Sequence, residues 1–144
     1  MTTSEKRQPS CKERWRSEKN GRMADIRKLW QSYQDDPEAE VDDLGNLFEY
    51  GLGFDYVNRD TFDDQPRGYW RWQFSWGGPS DEVRFYADGP DATTPDKIEY
   101  VFMDWFDGQA RPMTGRDLDL MRDLWSWFQD AGCIESEYRK NEED

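Results

Sequence analysis

The chain has 144 residues and a formal net charge of −13, with 35% apolar and 35% charged residues. That length suits one domain with a real core, and no apolar run approaches the roughly 18–20 residues that a membrane-spanning helix needs. The low apolar content alone would suggest disorder, but 8 Trp, 7 Tyr and 8 Phe argue against it, because disordered chains are poor in aromatic residues.

Each buried ring removes about 150–250 Å² from water, so a few large rings support a core that many small apolar residues would otherwise build. The start of the chain lacks the apolar stretch of a secretory signal. Cys11 and Cys133 sit in opposite tails and form neither a CxxC pair nor a disulfide framework. A cytoplasmic location, without membrane association, is the expectation.

The charge is unevenly placed. Residues 1–22 hold seven basic groups against three acids, for +4, which leaves −17 on the remainder. This basic stretch lacks apolar periodicity and reads as a disordered arm. Met23 stands as a plausible alternative start, ahead of a single acidic domain over 23–134 and a polar tail over 135–144.

Met23, Ile26, Trp30 and Tyr33 recur at helical spacing and predict a short helix over 24–34. Asp36-Pro37 reads as the cap and first position of a second helix, with Val41, Leu44 and Phe48 as its stripe, ending near Tyr50-Gly51. A short strand falls around 54–57. From Tyr69 to Trp76 the residues alternate, placing Trp70, Trp72, Phe74 and Trp76 on one face.

Gly77-Gly78-Pro79-Ser80-Asp81 is a turn cluster, and Glu82–Ala87 alternates again. Residues 88–96 read as a loop. Ile98–Phe106 carries apolar groups on both sides, as a central strand does, and Asp107-Gly108 ends it. Thr114 and Asp117 resemble a capping box for a last helix with Leu118, Met121, Trp125 and Phe128 inward, closed by Ala131-Gly132. The expected fold is α+β: a three- or four-stranded antiparallel meander with N-terminal helices and a C-terminal helix packed on it.

Catalytic chemistry needs groups that titrate near neutrality, and the chain has no histidine. No nucleotide-binding glycine loop is present. Asp81, Glu82, Asp104 and Asp107 offer oxygen ligands for a hard cation, although their spacing matches no calcium loop. The reading is a protein that is not an enzyme and needs no cofactor or metal, with a carboxylate-metal enzyme kept as an alternative.

Charge is the strongest functional signal. Residues 35–64 carry 11 acids against Arg59 alone. Asp35, Asp36, Glu38, Glu40, Asp42, Asp43, Glu49 and Asp55 are the candidate partner-binding residues. Closely spaced carboxylates repel one another and cost stability. Duplex DNA presents one negative charge per about 1.7 Å of axis, and a folded row of carboxylates can occupy a groove built for it.

The partner implied is a basic protein, a nuclease being one candidate. A body of −17 repels phosphate, so the domain itself is not expected to bind nucleic acid. The competing reading is a non-catalytic adaptor or housekeeping domain whose acidity only keeps a tryptophan-rich chain in solution.

The segments Phe74–Phe85 and Ile98–Gly108, with their WGGPSDE and IEYVFMDWFDG runs, resemble a core found in small acidic proteins of phages, plasmids and their bacterial hosts. The resemblance spans about 40 residues and brings no residue role with it. It implies mobile-element biology, in which small acidic inhibitors of host defence nucleases occur; the acidic stretch itself makes a restriction or CRISPR-type nuclease, or a toxin nuclease countered by an immunity protein, the candidate partners.

Overall fold

A computed structural model describes residues 10–87, 94–104 and 107–137. Helix α1 runs over Cys11–Asp35 and begins at an N-cap, Ser10, whose hydroxyl accepts the Glu13 N–H at 3.2 Å. The expectation of a disordered arm over 1–22 is therefore corrected from residue 10 onward; residues 1–9 lie outside the described residues. Cys11 and Trp15 are as deeply buried as Met23, Ile26 and Leu29 further along the helix.

Periodicity misses this first half because cations stand where apolar residues would recur. Arg14 meets Asp104 at 2.6 Å, Lys19 meets Asp117 at 2.6 Å, and Arg22 meets Asp81 at 2.8 Å. The basic segment is thus a helix face held by the acids of the body. Trp15 adds an indole N–H bond to the Tyr100 carbonyl at 2.7 Å.

Five strands follow: β1 Gly53–Val57, β2 Tyr69–Ser75, β3 Pro79–Tyr86, β4 Lys97–Asp104 and β5 Asp107–Pro112. They pair in chain order as one antiparallel meander. The expected three or four strands become five because Asp107-Gly108, read as a strand end, opens an edge strand. Its sequence, DGQARP, carries no large apolar residue, and its proline sits at the last position of the edge, where a missing N–H is tolerated.

Helix α2, Gly115–Asp130, buries Leu120, Met121, Leu124, Trp125 and Phe128. The Thr114 side chain makes no capping bond, so the predicted capping box does not form. Asp117 turns instead to Lys19 and Arg27 of α1. Gly132, at φ 79°, takes the left-handed position after the helix.

Both helices cover one face of the sheet. Trp70, Trp72 and Phe74 of β2, Val83 and Phe85 of β3, and Ile98, Tyr100 and Phe102 of β4 form the core with them. Rings interlock across it: Phe54 stacks on Phe128 at 4.1 Å, and Trp70 meets Trp125 edge-on at 6.0 Å. No described helix is long and apolar enough to cross a membrane.

The aromatic strand departs from strict alternation at one point. Trp72 pairs with Val83 and Gln73 with Glu82, but Ser75 pairs with Asp81, so a bulge lies between Gln73 and Ser75. One extra residue exchanges the faces of everything after it. Ser75 turns to the helix side, where it bonds Asp81. Trp76, which strict alternation puts on the face of Phe74, is 75% exposed.

Candidate protein-binding surface

The acidic segment begins where α1 stops. Asp36 is the C-cap of α1, in extended conformation, with its N–H bonded to Ser32 O at 2.8 Å. The second helix predicted over 37–50 is absent. A lobe of turns replaces it, with an isolated Val41–Gly45 bridge and a 3₁₀ turn over Asp42–Leu44.

The physical reason is local. Asp42, Asp43, Gly45 and Asn46 are weak helix formers that compete through side-chain bonds or left-handed backbone. Gly45 takes φ 78° and Asp42 φ 32°. Asn46 Oδ1 accepts the Glu49 N–H at 3.0 Å, and Asp36 Oδ1 accepts the Glu38 N–H at 3.0 Å. The apolar residues at 41, 44 and 48 keep helical spacing without making a helix, and the buried residue of the lobe is Leu47.

Seven of the eight predicted partner-binding residues come together here. Asp35, Asp36, Glu38, Glu40, Asp42, Asp43 and Glu49 are all exposed. Among the described residues no ion pair involves any of them. Asp55 is different: it lies in β1 and receives both Nε and Nη2 of Arg71, at 3.0 and 2.7 Å. Its charge is already answered.

Two large apolar side chains in and just after the same stretch of chain are exposed. Phe48 is 62% exposed and Leu52 61%. The Phe48 ring rests edge-on against Tyr33, at 5.5 Å, and tilted against Trp127, at 5.4 Å, while Trp30 stacks on Tyr33 at 5.8 Å. Sequence reading placed Phe48 inward. Its exposure follows from the loss of the helix, and no pattern in the sequence signals it. The result is an aromatic shelf rimmed by unpaired negative charge.

The carboxylates considered for a divalent ion serve α1 instead. Asp81, 3% exposed, takes Nε and Nη2 of Arg22 at 2.8 and 3.0 Å, and the Tyr100 hydroxyl at 2.7 Å. Asp104 takes Arg14, and Asp107 accepts the Cys11 N–H at 2.7 Å. Glu82 faces the other side of the sheet and pairs with Arg84 at 2.7 Å. Among the described residues no group of three acidic or thiol side chains is placed to hold a metal.

Comparison with protein-family models, curated proteins and solved structures finds no match to this chain.

Proposed function

We propose that the protein binds a basic partner protein through the 35–49 lobe, and that it occupies a groove which the partner otherwise uses for nucleic acid. The observation that supports this reading is the set of seven exposed, unpaired carboxylates bordering Phe48 and Leu52. The less exposed acids Asp81, Glu82, Asp104 and Asp117 are matched by Arg or Lys; the carboxylates of the lobe are left to solvent, at a cost in self-repulsion. Such a rim steers a cationic surface during encounter, and the apolar side chains anchor it once water is expelled. A nuclease of restriction, CRISPR or toxin type is the partner class that fits, in keeping with the resemblance to mobile-element proteins.

Binding to a panel of such nucleases, followed with increasing salt and with competing duplex DNA, tests the proposal. Affinity should fall steeply from about 50 to 300 mM salt, and DNA should compete. Replacing Glu38, Glu40 and Asp43 together by Lys should slow association by about tenfold or more, since rim charge acts mainly on the on-rate. Phe48→Ala should leave folding intact and speed dissociation. Absence of binding to every nuclease at low salt defeats the reading. Binding that ignores salt but needs Phe48 and Leu52 favours the adaptor instead.

A further inference from the structure

The face of the sheet without helices has its own site. Alternation along β2 and β3 brings Tyr69, Arg71, Glu82, Arg84 and Tyr86 to it. Segment 58–67 closes on itself there, with Gln65 Nε2 donating to the carbonyls of Asn58 and Arg67 at 3.0 and 2.9 Å. Between this segment and the strands lies a cavity of about 580 Å³, within the range that holds small ligands. The bulge in β2 sends Trp76 into its lining, where Phe62 and Met103 also stand.

Tyr69 is 1% exposed and lies beneath the Arg84 guanidinium, which is 4.5 Å from its ring centre. Its hydroxyl has no hydrogen-bond partner among the described residues. A buried hydroxyl left unsatisfied is costly, so a donor left open beside a cavity marks a place for an acceptor. Burial holds the Tyr69 proton on, above the usual tyrosine range. Arg84 gives Nε to Glu82 and stands beside the Tyr86 hydroxyl, two partners for five N–H groups.

The cavity lining holds four cations, Arg67, Arg71, Arg84 and Lys97. Each is already paired with an acid, Asp96, Asp55, Glu82 and Glu99 in turn, so the places open to an acceptor are the Tyr69 hydroxyl and the Arg84 N–H groups that Glu82 and Tyr86 leave over. A cationic ligand is disfavoured, because the Tyr86 ring already carries Lys97 at 4.3 Å and Arg67 at 5.5 Å. Trp76 and Phe62 offer exposed ring faces, 75% and 51% accessible. From this arrangement we infer that the cavity binds a small aromatic oxyanion, its planar ring against Trp76 and Phe62 and its oxyanion on the Tyr69 hydroxyl and Arg84.

Two sources supply that chemistry, a nucleoside monophosphate and an aromatic carboxylate. Calorimetry of the full chain with adenosine monophosphate and with 4-hydroxybenzoate, each beside its uncharged counterpart (adenosine and 4-hydroxybenzamide), separates them. At least one anion should bind, about tenfold or more tighter than its neutral counterpart. Tyr69→Phe removes only the unpartnered hydroxyl and Trp76→Ala only an exposed ring, so both variants should fold and both should weaken binding at least about fivefold. Failure of both anions to bind, equal binding of the neutral counterpart, or indifference to either variant overturns the inference. The site lies apart from the acidic lobe, so either can fail without the other.

Discussion

Asp81 shows how this chain treats a buried charge. Arg22 comes from α1, Tyr100 from β4 and Ser75 from the strand that bulges beside it, and all three groups meet at one carboxylate. Arg22 is packed in turn over the Phe74 ring at 4.9 Å and donates to the Tyr50 hydroxyl at 2.8 Å. Such a cluster contributes less to net stability than its bond count suggests, because both ions were desolvated to form it. Breaking it from one side is costly. Asp81→Asn should lower the unfolding free energy by about 3 kcal/mol, since the Arg22 charge keeps its burial and loses its counter-charge. Denaturant titration measures this, and the pair Arg22→Met with Asp81→Leu should recover a large part of the loss.

At the scale of the element, α1 carries more of the fold than its polar sequence suggests. A chain beginning at Met23 loses Cys11 and Trp15 from the core and leaves Asp81, Asp104 and Asp107 without their partners in the helix. Such a variant should fail to fold cooperatively, read as loss of the thermal transition and of near-ultraviolet ellipticity.

The sequence makes four of the five strands and α2 legible because they follow a simple period. Trp70, Trp72 and Phe74 alternate, and Met121, Trp125 and Phe128 recur three or four residues apart. What escapes is where charge or turn chemistry replaces hydrophobicity. Lys19 and Arg22 interrupt the stripe of α1, β5 has no apolar face, and 37–50 has a helical period over residues that prefer turns. The acidic cluster itself is plain in the composition. Its neighbours Phe48 and Leu52 are not, and neither is Trp76, because a bulge of one residue leaves no mark in the alternation that precedes it.

Across the whole molecule the acids fall into two groups, those that hold elements together and those left to solvent, and the tyrosines record how closed the interior is. Burial, reinforced by the bond to Glu99, pushes the Tyr86 hydroxyl up to about 12. Burial likewise raises Tyr50 and Tyr69, and burial together with Asp81 raises Tyr100. Each keeps its proton in the folded state to a higher pH than in the unfolded chain, whose tyrosines ionise near about 10. Their contribution is therefore complete below about pH 10 and is lost as the pH rises through the folded values. Unfolding midpoints should drop steeply between about pH 10 and 12, with tyrosinate absorbance rising in step with unfolding rather than ahead of it.

The clasp on α1 also has a consequence in time. Its contacts reach forward 59 residues from Arg22 to Asp81, 85 from Trp15 to Tyr100, 90 from Arg14 to Asp104 and 98 from Lys19 to Asp117. During synthesis the helix emerges first, and nothing it packs against yet exists. Contacts of such sequence separation form late, after the closure entropy of the intervening chain has been overcome. The meander can zip strand by strand as it appears, whereas α1 waits for β4, β5 and α2. The first helix to be made is the last to be secured.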